Sequence, residues 1–208
     1  MKRVLLIAYF FPPLAASGSM RPAGFCRHLS EFGWTPIVLT ADPSSAGALH
    51  HSDSTLSGVV PPEIPVYRVA HRSLLDAAIG FRNRYLRSAP TGGGSTAPQP
   101  STQGHRSSLF RRATARATVA KESMLRHAFL FPDLQASWLR PALKQAEAII
   151  TRERIDAVFA TGSPWTGLLT GMHVSERFNV PLILDFRDPW TGNVNAWQGE
   201  AFRRRADR

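Results

Sequence analysis

Apolar residues fall along this chain in two alternating rhythms. Residues 4–10 (VLLIAYF), 35–41 (TPIVLTA), 65–70 (PVYRVA), 155–160 (IDAVFA) and 181–185 (PLILD) are short, nearly continuous apolar runs, the form taken by strands buried in a parallel sheet. Helical spacing separates them. Phe25, Leu29 and Phe32 mark one stripe, with Ser19 placed to cap its start, Pro22 in its first turn and Gly33 as its stop. A second helix is expected from near Trp138, with Ala142, Ala146, Ile149 and Ile150 on its buried side. A third opens with Ser163 as N-cap and Pro164 at the first helical position, and carries Trp165, Leu168, Leu169, Met172 and Phe178. Strands alternating with helices predict an α/β fold, a Rossmann-like doubly wound parallel sheet. The run at 181–184 predicts a central strand buried on both faces, and it leads straight into Asp185, Arg187 and Asp188.

Other stretches break the rhythm. Residues 42–65 read as an irregular excursion, and the adjacent His50 and His51 have no third ligand at a metal-like spacing, so they are expected in solvent. Residues 74–86 are weakly helical and basic. Residues 88–108 (SAPTGGGSTAPQPSTQGHRSS) are low-complexity and predict no fixed structure, an insertion within a single domain spanning 1–208. Residues 109–131 return as a helix in which Arg111, Arg112, Arg116, Lys121 and Arg126 stand among Ala, Val, Met and Leu. Such a helix either packs its apolar stripe on the sheet or lies on an anionic membrane.

Composition adds three limits. A chain of 208 residues, 43% hydrophobic, can bury a core, and none of its apolar runs approaches the roughly 20 residues of a membrane span. The start, MKRVLLIAYFFPP, reads as a first strand rather than a signal peptide. The lone Cys26 excludes an intramolecular disulfide, fits a reducing compartment and suits a small core position. The net charge of +10 is concentrated, with ten Arg or Lys between Arg72 and Arg126 against Asp76 and Glu122. That segment fits an anionic surface as partner, or it is solubilised by Arg alone, since Lys occurs only at positions 2, 121 and 144.

Candidate chemistry gathers at the predicted strand ends. A loop of small residues containing Ser17, Gly18 and Ser19 joins the first strand to the first helix, with Arg21 one turn in. The loop Thr161–Gly162–Ser163 repeats the arrangement after the fourth strand. Both point backbone N–H groups and a helix N-terminus at a ligand. The dinucleotide fingerprint G-x-G-x-x-G is absent, because Gly18 is the only glycine before Gly24. No acid ends the second strand either, as Thr40 and Ala41 precede Asp42. Both observations weigh against an oxidoreductase domain. A non-catalytic basic membrane-binding module would account for the charge but not for the small-residue loops.

Three stretches, 9–40, 131–143 (FPDLQASWLRPAL), and 156–171 with 180–191 (VPLILDFRDPWT), together resemble the N-terminal domain of glycosyltransferase family 4, the retaining GT-B enzymes, in the subgroup serving exopolysaccharide and O-antigen assembly. The resemblance covers about half the chain and leaves out 42–130. It implies two facing Rossmann-like domains, with the acceptor held by this one and the nucleotide-sugar by a C-terminal partner outside these residues. The chain stops at Arg208 in a helical pattern, so alone it is expected to be incomplete and inactive. By position, Ser17, Gly18, Ser19 and Arg21 would approach acceptor and donor phosphate, Thr161, Gly162 and Ser163 would line the acceptor side, and Arg187 and Asp188 would stand at the reacting sugar. The resemblance implies no metal and a glycan or lipid-linked acceptor. A cytoplasmic enzyme without a nucleic-acid partner is expected with it. The charge of the middle segment, not the resemblance, suggests a peripheral position on the inner face of the plasma membrane. The chain departs from the pattern with Ser17-Gly18 where many members have Gly-Gly, and with Arg187-Asp188 where many have a His.

Overall fold

The computed structural model of the chain describes residues 1–45, 51–72 and 132–188. Within them β1 (Lys2–Ala8), β2 (Trp34–Ala41), β3 (Val66–Val69), β4 (Ala157–Gly162) and β5 (Leu182–Phe186) form one sheet. Every pairing is parallel, in the order β3-β2-β1-β4-β5. Helices α1 (Met20–His28), α2 (Leu139–Arg152) and α3 (Trp165–Phe178) cover its faces, giving the Rossmann-like α/β architecture that the alternating pattern predicts.

The central strand explains its own sequence. Leu5, Ile7 and Tyr9 pack toward α2 and α3 with Trp138, Ala142, Ala146 and Leu168. Leu6, Ala8 and Phe11 pack on the other face with Ala23 and Cys26 of α1. A strand buried on both faces has no polar side to show, hence the continuous run VLLIA. From β1 the chain passes through α1 to β2 on one side, while β4 lies on the other, with Ala8 opposite Thr161. The switch point of the sheet therefore falls between the carboxyl ends of β1 and β4, the place at which open α/β sheets bind ligands.

Three sequence expectations need correction. Residues 181–185 do not form a central strand buried on both faces: among the described residues β5 lies at the edge, with Ile183 54% and Phe186 53% exposed. Ile183 is on the α1 face, and the Phe25 ring of that helix extends only to Phe159 of β4, with centroids 4.8 Å apart. In α1 the buried residues are Pro22, Ala23 and Cys26, whereas Phe25 and Leu29 are half-buried and Phe32 is exposed. The helix tightens into a 3-10 turn at Leu29–Phe32, which rotates the register, and Gly33 ends it at φ 78°, as its role as stop predicts. In α3 the inner face is Thr166, Gly167, Leu168, Thr170, Gly171 and Val174, with Met172 exposed. Small residues lie inward because the helix sits close: an ideal Cβ on Gly171 would come 2.6 Å from Ala160 Cβ.

The described parts of the excursion, 42–45 and 51–65, are irregular as expected, with 3-10 turns at Pro43–Ser45 and Ser54–Val59. The expectations for His50, 74–86, 88–108 and 109–131 lie outside the described residues, as does nearly all of the basic segment. No described helix is long and apolar enough to cross a membrane.

Candidate functional site at the sheet switch point

The loop after β1 is braced from below. Ala15 N–H donates to His51 O at 2.8 Å, Asp53 N–H to Pro13 O at 2.8 Å, and Arg68 Nη2 to Pro12 O at 2.7 Å. The irregular excursion thus buttresses the loop that carries Ser17, Gly18 and Ser19. His51 itself is exposed, as its lack of partner ligands predicts.

Against this loop lie two residues of the β5 end. Asp185 and Arg187 are two apart, so both point to the α1 face. Asp185 stands opposite Thr161 in the ladder and accepts its Oγ1–H at 2.9 Å. The same carboxylate receives Arg21 in a forked pair, Nε to Oδ2 and Nη2 to Oδ1, each at 2.9 Å. Arg21 is therefore committed to an internal carboxylate rather than pointing alone into solvent.

Arg187 reaches further. Its Nε donates to Gly162 O at 2.8 Å and its Nη2 to Ser163 O. The guanidinium lies flat on Gly18: an ideal Cβ there would sit 2.5 Å from Nη1, 2.8 Å from Nη2 and 3.0 Å from Cζ. Glycine here leaves room for the guanidinium, and the position makes no demand on its backbone angle. Burial pulls the Arg187 pKa down, the carboxylates of Asp188 and Asp185 raise it, and the nearby Arg21 guanidinium lowers it again. Asp188 is exposed, one residue beyond. Of the nine residues the sequence singles out, Gly18, Arg21, Thr161, Gly162, Ser163 and Arg187 thus meet in one network, with Ser17 and Ser19 on its loop and Asp188 at its rim.

Ser19 occupies the N-cap position of α1, but its side chain does not cap. Its Oγ is fully buried without a hydrogen-bond partner, and the first turn of α1 holds no acid. The third helix differs in the opposite sense. Ser163 is not its cap: Pro164 occupies that position, and both peptide bonds flanking Ser163 are cis. The cap comes instead from Asp133, which accepts Thr166 N–H at 2.8 Å and Thr166 Oγ1–H at 2.7 Å. Burial pushes the Asp133 carboxyl above its usual pKa, opposed by hydrogen bonds from Thr166 and from the backbone N–H groups of Gln135 and Trp165.

A second polar cluster lies on the α2 face of the same edge. His71, just past β3, shares a hydrogen bond through Nε2 with Tyr9 Oη at 2.9 Å and through Nδ1 with Ser137 Oγ at 3.0 Å. Trp138, fully buried, packs edge-on to Tyr9 at 5.3 Å. Sequence reasoning missed Asp133 and this cluster, because both depend on contacts between distant segments. It noticed Asp185 but gave it no role, although an acid opposite Thr161 at a strand end was the available signal.

Asp42, the acid beyond β2, accepts Ser44 N–H at 2.9 Å and Ser44 Oγ–H at 2.5 Å, so its carboxylate is turned into its own loop. No group of three or more His, Cys, Asp or Glu is placed to hold a metal among the described residues. Comparison of the chain with protein-family models and with curated protein sequences gives no match in either.

Proposed function

We propose that this chain is the acceptor-side half of a retaining glycosyltransferase of family 4, moving a sugar from a nucleotide-sugar to a glycan or lipid-linked acceptor in cell-surface polysaccharide synthesis. The observation that carries this reading is the asymmetry of the two loops at the switch point. The α1 loop has an acid-free helix N-terminus, an uncommitted buried hydroxyl on Ser19, and the guanidinium groups of Arg21 and Arg187 beside it. It suits an anion such as a diphosphate. The α3 loop already has its helix end filled by the Asp133 carboxylate, so it suits a neutral acceptor rather than a second anion. Between them the departing diphosphate is stabilised by the α1 dipole and by positive charge, without proton transfer to it. Asp188, exposed at the rim, orients a sugar hydroxyl. A second Rossmann-like domain supplies the donor pocket, and the reacting atoms meet between the two halves. The enzyme works on the cytoplasmic side, peripheral to the inner membrane face.

The test uses the full gene product with a panel of nucleotide-sugars and membrane-derived acceptors, following release of free nucleotide. Asp188→Ala should lower turnover about a hundredfold while the melting temperature holds within a few degrees. A melting temperature that falls steeply, with turnover per folded molecule unchanged, makes the cluster structural. A wild-type protein that turns over no nucleotide-sugar and instead binds a nicotinamide dinucleotide overturns the reading.

A further inference from the structure

Helix α3 has an unusual start. Pro164 stands at its N-cap and offers no side-chain acceptor, and its first turn holds no acid. The usual acceptor at a helix start is the side chain of its own N-cap residue, Ser, Thr, Asp or Asn. Here the acceptor comes from Asp133, 33 residues upstream of Thr166. It is a largely buried carboxylate, which costs more to desolvate than a hydroxyl would. Asp133 is itself fixed, with Gln135 N–H donating to Oδ1 at 2.9 Å and Ala136 N–H to its carbonyl at 3.2 Å. The 3-10 turn that follows, Ala136–Trp138, is anchored by the fully buried Trp138.

The turn Gly162–Ser163–Pro164 is thereby held from two directions. Arg187 grips the Gly162 and Ser163 carbonyls from the α1 side. Asp133 grips the chain two residues after Pro164 from the α2 side. We propose that Asp133 is a positioning residue for this turn, acting through Thr166 and the first turn of α3 to fix where Thr161–Ser163 presents itself to the acceptor. The assignment rests on the transferase reading above. Thr166 needs an acceptor for its N–H, which Oδ2 supplies, and a partner for its hydroxyl. An amide can supply both, as oxygen and NH2, losing only the bond from Gln135 N–H, whereas a methyl supplies neither.

The experiment compares Asp133→Ala and Asp133→Asn in the full gene product. Asp133→Ala should raise the acceptor KM about tenfold with little change in the donor KM, and Asp133→Asn should restore it to within about threefold of wild type. In parallel, hydrogen exchange of the amides at 162, 163, 165 and 166 should quicken about tenfold in the alanine variant and not in the asparagine one. Equal acceptor KM in all three proteins, with only the melting temperature lowered, overturns the assignment. If the wild type has no transferase activity, the transferase reading fails by itself. Exchange then decides whether Asp133 sets the turn, and unchanged rates in Asp133→Ala refute it. Should Asp133→Ala fail to fold, Thr166→Val, which removes the hydroxyl that Asp133 holds, is read in its place, and an unchanged acceptor KM there refutes the assignment.

Discussion

Replacing Gly18 by Ala tests the network in a way that a contact list does not. The backbone at Gly18 is outside the left-handed region, so an alanine there meets no conformational penalty. By itself the change should stabilise the protein by about 0.4–1 kcal/mol through the unfolded chain. The obstacle is Arg187, whose guanidinium occupies the place of the new methyl at 2.5 Å. A long side chain can move aside, but doing so removes its donors from Gly162 O and Ser163 O. Hydrogen bonds from a charged group contribute about 1.5–3 kcal/mol each when buried, and half exposure places this pair toward the low end, about 2–3 kcal/mol together. Gly18→Ala should therefore destabilise by roughly 1.5–2 kcal/mol. In an Arg187→Ala background the obstacle is gone, and the same substitution should be neutral or slightly stabilising. Urea unfolding of the four proteins, followed by tryptophan fluorescence, yields a coupling energy of about 2 kcal/mol. If the two costs add to within about 0.5 kcal/mol, Arg187 does not rest on Gly18 and the network is misdescribed.

Two further outcomes follow from burial. Cys26 is 2% exposed and its thiol is pushed up to about 12 by burial, so the native protein should resist a thiol-specific reagent at mildly alkaline pH and titrate one thiol only in denaturant. Prompt stoichiometric labelling of the folded protein would place Cys26 elsewhere. For Asp133, burial raises the folded pKa above the ordinary 3.8, so its contribution to stability is greatest at low pH and is lost as pH rises through the folded value. Wild type should therefore lose ground to Asp133→Asn as pH climbs from 3.8, measured as the gap between their urea midpoints. A gap that stays flat or moves in favour of wild type is the contrary result.

What the sequence disclosed was governed by range. The runs VLLIA, PIVLTA and AVFAT are strands because a doubly buried strand must be apolar throughout, a rule that needs no partner to apply. The same rule misplaced residues 181–185, since an apolar run reads alike with one neighbour or two. Helix faces were misread where packing is tight: Phe25, Leu29 and Met172 drew the stripe by hydrophobicity. The sheet instead took Ala23, Cys26, Gly167 and Gly171, which let the backbone approach. The loops bearing Ser17–Ser19 and Thr161–Ser163 were legible as small residues at strand ends. Their joining by Arg187 and Asp185, and the capping of α3 from Asp133, were not, because no local pattern records which distant carbonyl a guanidinium will meet.

The placement of β1 at the middle of the sheet has a consequence for how this chain acquires its structure. One edge of β1 finds β2 soon after synthesis. The other waits for β4, and Arg3 and Asp156, which meet beside that seam, are 153 residues apart. At ribosomal rates that interval is on the order of ten seconds, during which an apolar strand edge stays unpaired. A nascent chain halted before β4 should be a chaperone client and prone to join strands with its neighbours. Completion of the seam, a contact of high sequence separation, should set the pace of refolding.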